Sequence, residues 1–177
     1  VDSQIWFIRN GQIVSKQQLV HGIGSLGNYI FNPLVNEFYA SIPMRTDVLT
    51  YDSGVYPVFS FENERIVFDE PINLKVEEPY PNDIQWALDR DTATLYGLDS
   101  PNRFVYVVRE KNYIGRFPVN CDHPHHIHVN AVTSLIYISC NFEVQVFAYP
   151  ELISPSLQAQ IDHLKPIVPD LFKPFQP

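Results

Sequence analysis

The chain is short of basic residues: 12 lysines and arginines stand against 20 aspartates and glutamates, a net charge of −8. That balance argues against a general nucleic-acid or anionic-membrane binder, because phosphates and acidic headgroups are held by clustered cations. Long apolar runs are missing as well. The densest, Phe104 to Val108, is 5 residues long, against the roughly 20 that a membrane-spanning helix needs. The 7 glycines and 15 prolines exclude collagen. Two cysteines, Cys121 and Cys140, are too few for a disulfide scaffold. They can form one bridge, or remain two buried thiols acting as small hydrophobes.

Several motifs are also absent. No Asn-x-Ser/Thr acceptor occurs, and there is no Gly-x-Ser-x-Gly elbow and no Gly-rich phosphate loop. Gly22-Ile23-Gly24-Ser25-Leu26-Gly27 has the form of a dinucleotide fingerprint, but Tyr29-Ile30-Phe31 behind it reads as strand. Without a helix N-terminus there is no dipole to hold a phosphate, and the segment is expected to be a loop. No charged-then-apolar signal peptide opens the chain. A start at Val1 within a strand-like stretch is what a mature, excised or trimmed piece of a longer protein would show.

What is present is enough for one compact domain. Of 177 residues, 45% are hydrophobic and 14% aromatic, which supports a sizeable core. Strand signals dominate. Ile5 to Arg9, Asn10-Gly11 and Gln12-Ile13-Val14 predict a hairpin, because Asn-Gly accepts the positive φ angles of a type I′ turn. Further strands are expected at 29–32, 37–41, 47–51, 56–61, 65–68, 84–88, 94–98, 103–109, 113–119, 126–130, 134–139 and 143–149. Short strands with turn residues between them mark an all-β chain rather than a βαβ one. One short helix is expected after Ser154 or Ser156, with Leu157, Ile161 and Leu164 on one face. A Pro-rich arm follows, whose Ile167, Leu171, Phe172 and Phe175 suit docking on this domain or a neighbour. The expected organisation is therefore a β domain over 1–152 and a helix with arm over 153–177.

Three segments repeat one pattern: Ile30 to Ser41, Ile84 to Gly97 and Ile127 to Ser139. Each is a strand, a polar turn and a strand with an aromatic anchor, followed by a third strand at Val48 to Tyr51, Phe104 to Val108 and Val144 to Phe147. Tyr96 and Tyr137 stand about 40 residues apart, the length of a four-stranded β-propeller blade. The longer interval from Tyr39 to Tyr96 has room for one extra hairpin, around Arg65 to Val76. The third segment, His123 to Ser139, resembles the YVTN-type propeller repeat: Pro124, Ile127, Val129, Asn130, Thr133 and Tyr137 match it. His126 stands at the usual glycine and Ser139-Cys140 at the usual Thr-Asn ending. The other two segments match more weakly, and the resemblance covers about residues 25 to 150.

The resemblance implies propeller blades, two full and two partial, with the N-terminal hairpin aligned to strands three and four of a blade. Such a chain is part of a larger propeller or is completed by another copy; a sandwich or barrel is the alternative. It also leans towards a secreted or cell-envelope location. Propeller repeats specify a fold more than an activity.

Four of the six histidines lie in His123-Pro124-His125-His126-Ile127-His128. On a strand His126 and His128 share a face, and His123, His125, His126 and His128 together are candidate ligands for Zn or Cu, with Asp122 beside them. The competing reading is ordinary loop or channel-lining histidines. Asp89 and Asp91 flank Arg90 in a turn, where Asp more commonly hydrogen-bonds its own backbone. Trp86 is expected in the core. Tyr80, Asp83 and Arg103 sit in loops suited to partner contact, and Phe172 and Phe175 in the arm. The leading expectation is a non-enzymatic binding or assembly module, needing no cofactor, whose partner is another protein or a second copy. A metal-dependent enzyme or electron-transfer unit using the histidine cluster is the alternative, and a structural subunit of a virus particle or surface layer a third.

Overall fold

The computed structural model describes residues 4–18, 28–41, 54–76, 81, 83–130 and 132–148. The expected helix, the proline-rich arm, Tyr80 and the Gly22–Gly27 loop lie outside them. The chain divides into two units, residues 1–84 with 111–113, and residues 85–110 with 114–177. Among the described residues every regular element is a strand, and no sheet closes into a barrel.

In the first unit β1 (Gln4–Arg9) and β2 (Gln12–Gln18) form the expected hairpin. Asn10 and Gly11 both take positive φ, 51° and 75°, as a type I′ turn requires. β3 (Tyr29–Asn32) and β4 (Glu37–Ala40) follow, then β5 (Val55–Tyr56), β6 (Val58–Glu62), β7 (Arg65–Phe68) and β8 (Ile72–Asn73). The main sheet runs β3-β4-β6-β7, and β5 pairs with β8. This corrects the strand expected to complete the first repeat. Residues 47–51 lie outside the described set, and β6 is the strand that pairs with β4. The single strand expected over 56–61 is two strands, because Pro57 has no N–H for a ladder and interrupts it. The extra hairpin placed near Arg65 to Val76 is β7, fourth strand of this sheet, with β8 pairing elsewhere.

Register places a phenylalanine from every strand of this sheet in one row. Phe31 faces Phe38, Phe38 faces Phe59 and Phe59 faces Phe68. Phe38 stacks on Phe59 with ring centres 5.2 Å apart and on Phe31 at 4.5 Å. Each such pair adds about 0.5–1.5 kcal/mol beyond simple burial. Phe7 of β1 meets the row edge-on through Phe61, at 5.4 Å. Two side chains of β2 complete the docking. Gln17 donates from Nε2 to Ile66 O (3.0 Å) and accepts from Ile66 N–H (2.6 Å), and Ser15 Oγ donates to Glu64 O (2.6 Å).

The second unit holds β9 (Gln85–Asp89), β10 (Thr94–Asp99), β11 (Phe104–Arg109) and β12 (Asn112–Pro118) in the order β12-β11-β10-β9. β13 (His126–Asn130), β14 (Leu135–Ser139) and β15 (Val144–Ala148) form a three-stranded sheet in chain order. The core lies between these sheets: Tyr96, Leu98, Val105 and Val107 meet Val129, Ile136 and Ile138, with Phe117, Val119 and Cys121 at its margin. All 6 residues of β10 are buried, the pattern of a central strand covered on both faces. Trp86, expected in the core, is half-buried on β9.

One turn recurs in both units. The first strand of each larger sheet ends in Asn32, Asp89 or Asn130, and its side-chain Oδ1 accepts the backbone N–H two residues on. The donors are Leu34 (3.1 Å), Asp91 (3.1 Å) and Val132 (2.9 Å). Each connection closes on a left-handed residue: Asn36 (φ 55°), Ala93 (φ 52°) and Ser134 (φ 53°). Strands three and four are joined differently, by two left-handed residues, Asn63-Glu64 and Glu110-Lys111. Asn10-Gly11 is likewise a two-residue turn with both residues left-handed.

Ala93 pays about 1 kcal/mol for its left-handed backbone, a cost that glycine does not carry. Ala93→Gly is therefore expected to stabilise the fold by about 0.5–1 kcal/mol, read as a rise in the urea midpoint at unchanged slope. A fall in the midpoint contradicts this reading of the turn.

Candidate functional site

The connection from β12 to β13 and the turn from β14 to β15 meet at one end of the second unit. Cys121 and Cys140 form a disulfide there, with Cα atoms 6.1 Å apart, which settles the alternative that the sequence left open. Backbone bonds reinforce it: His125 N–H donates to Ser139 O (2.8 Å), Asn141 N–H to Asp122 O (3.3 Å) and Val119 N–H to Arg103 O (2.8 Å). Side chains add more. Gln145 Nε2 donates to Asn120 O (3.1 Å), and His125 donates from Nε2 to Asn141 Oδ1 (2.7 Å). Arg103 Nη2 lies 3.5 Å from Asp122 Oδ1; both are well exposed, so the pair orients the side chains more than it stabilises.

The result is a rigid loop surface presenting Arg103, Asp122, His123, His125, Asn141 and Phe142. His123 is held left-handed (φ 51°). Phe142, at the tip of the β14–β15 turn, is 99% exposed. Full exposure of a phenylalanine leaves its ring without burial in this chain's core. The sequence points to the Asn141-Phe142 turn as a contact loop without singling out Phe142 within it. An isolated aromatic in a polar turn has no periodicity to single it out.

The four histidines are not gathered around one point. His125 is engaged by Asn141, and His126 donates from Nδ1 to Gln85 Oε1 (3.3 Å) on β9. His126 and His128 do share a face of β13, opposite Ser139 and Tyr137. Among the described residues the one group of three or more His, Cys, Asp or Glu side chains with metal-ligand proximity is Cys121, Cys140 and Glu143. Its sulfurs are bonded to each other, and disulfide sulfur lacks the thiolate charge that ligation uses.

Asp83 is exposed and belongs to the first unit. Tyr80, Phe172 and Phe175 lie outside the described residues. Asp89 and Asp91 form a turn, not a catalytic pair: Asp89 Oδ1 caps the Asp91 N–H. A buried carboxylate that sequence reading missed is Asp99, which accepts from Asn102 N–H (3.3 Å), Asn102 Nδ2 (2.8 Å) and Tyr106 OH (3.4 Å). Burial raises its pKa, opposed by the Asn102 bonds. Burial, with the Asp99 charge second, pushes Tyr106 up to about 12.

No family model and no curated protein matches the chain. Among solved structures it is similar to a chain in the crystal structure of a nidogen/laminin complex, at 11% identity and a TM-score of 0.49. The match covers 85% of this chain and 55% of that one, so the chain spans about half the length of its neighbour.

Two measurements follow from this geometry. Replacing both cysteines by serine opens a loop of sequence separation 19, and is expected to cost about 3 kcal/mol in denaturant unfolding; a cost below about 0.5 kcal/mol would mean that the bridge constrains nothing. Asp99 has a raised folded pKa, so its contribution is greatest below its unfolded pKa near 4 and is lost as pH rises through the folded value. The stability of Asp99→Asn relative to the parent is therefore expected to increase from pH 4 to pH 7. A flat difference contradicts the burial effect.

Proposed function

We propose that this chain is a non-enzymatic, extracytoplasmic binding module made of β-propeller-type sheets, and that its partner is a protein. The disulfide-tied loop surface with Phe142 at its tip carries the reading. Exposed aromatic and arginine side chains on a rigid base are the composition of interface hot spots, since little conformational freedom is lost on binding. The recurrent four-residue and two-residue turns, and the antiparallel meanders they connect, support the propeller-type architecture: two four-stranded sheets, one of three strands and the β1–β2 hairpin. The disulfide supports an oxidising compartment outside the cytoplasm. Asp83, and beyond the described residues Tyr80, Phe172 and Phe175, are proposed as further contacts.

The test is site-specific photo-crosslinking from position 142. Val132 is the control, because it is 92% exposed at the opposite end of β14. A single partner protein is expected to crosslink at 142 and not at 132. Its capture by unlabelled chain should fall at least tenfold in Phe142→Ser with Arg103→Ser. Equal crosslinking at both positions, or capture unchanged by the double substitution, overturns the proposal.

A further inference from the structure

The outer sheet edges of this chain are not alike. The edge of β7 is covered, because Gln17 and Ser15 take up the outward backbone groups of Ile66 and Glu64. The outer strand β12 carries Arg116 and Pro118, a charge and a missing donor. β1 is bulged between Phe7 and Ile8 and ends in Arg9. Pro, charge, bulges and cover are the devices by which β proteins block edge-to-edge pairing. Among the described residues β15 has none of them. Its sequence is Val144-Gln145-Val146-Phe147-Ala148, without charge or proline, paired in unbroken register to β14 on one side.

The direction of its free groups follows from one bond. Cys140 N–H donates to Glu143 O across the Asn141-Phe142 turn, so that pair is a hydrogen-bonded one and the pairs alternate from there. Gln145 and Phe147 bond to β14, and the N–H and C=O of Val144, Val146 and Ala148 point away from it. Among the described residues nothing pairs with them. The sheet is also one strand short of the four in β3-β4-β6-β7 and β9-β10-β11-β12. In those sheets the fourth strand follows a two-residue turn with both residues left-handed.

We infer that the free edge of β15 pairs antiparallel with β15 of a second copy, across a two-fold axis at Val146. The partner strand is chosen by chemistry. A two-fold copy sets Val146 opposite Val146 and Val144 opposite Ala148. The outward groups of one strand then meet those of the other in about six backbone hydrogen bonds. No charge faces a like charge within the strand, although the whole chain carries −8. The side chains continue an apolar stripe, since Val144 and Val146 lie on the face of Tyr137 and Leu135. A five-residue edge buries less than a standard interface, so the pair is a weak one that forms at high concentration. The inference rests on reading the chain as an interaction module and names one of its partners.

Sedimentation equilibrium from about 1 to 300 µM decides it. The parent chain is expected to rise from 20.4 kDa towards twice that mass. Val146→Pro removes an outward N–H that bonds to nothing among the described residues, so it is expected to keep the parent's thermal midpoint and the mass of one chain throughout. Val144→Lys places the charge that other edges use, and is expected to weaken association at least tenfold; it decides the matter if Val146→Pro does not fold. A parent that stays at the mass of one chain, or association that neither variant weakens, overturns the inference. The two readings fail separately, since Phe142→Ser with Arg103→Ser leaves the β15 edge intact and its mass profile is expected to follow the parent.

Discussion

A strand that must stop inside a protein leaves backbone N–H groups with nowhere to go, and three strands of this chain meet that constraint in one way. Asn32, Asp89 and Asn130 are each drawn in from solvent, and each turns a side-chain oxygen onto the N–H two residues on. A buried N–H without a partner would cost about 1–3 kcal/mol, so the residue type at that position is restricted. The turn also reverses the chain into the next strand and sets its register. In all three cases the tyrosine 7 residues later, Tyr39, Tyr96 or Tyr137, then falls at the same point of the second strand. The Phe31–Phe38–Phe59–Phe68 row depends on such a register: a slip of one residue would put those side chains on the opposite face.

The repeat was legible because it is a matter of local chemistry. Asn10-Gly11 reads as a type I′ turn from two residues, and Asn130, Thr133 and Tyr137 carry a spacing that survives in single-letter form. Other features were not legible for equally physical reasons. β8 has 2 residues, too few to show a period of two. Pro57 splits a run that hydrophobicity alone makes continuous. The phenylalanine row joins positions separated by irregular loops, so it exists only once register is known. The cysteine spacing permits either a bridge or two thiols, and the geometry of the β12–β13 connection decides between them. The histidine cluster was legible in part: alternation does place His126 and His128 on one face, while Asn141 and Gln85 turn His125 and His126 to different partners.

Regular sheets built on these turns give the described part of the chain its scaffold. Its buried polar groups, Asp89 and Asp99 among them, serve turns and networks within the sheets. One end of the second unit carries exposed groups on loops too irregular to hold their shape by ladder bonds alone. There the Cys121–Cys140 bridge does what the Asx turns do elsewhere, tying the β12–β13 connection to the end of β14 so that Arg103, Asp122, His125 and Phe142 are presented together. A preorganised surface of this kind loses less entropy on binding than a mobile one.

Hydrogen–deuterium exchange of the oxidised and reduced chain tests that division most directly. If the disulfide holds the loop surface while the turns hold the sheets, reduction speeds exchange in peptides covering 119–126 and 139–143 and leaves the turns after Asn32 and Asp89 at their oxidised rates. Exchange that rises equally throughout the chain, or that does not change around Phe142, would contradict it.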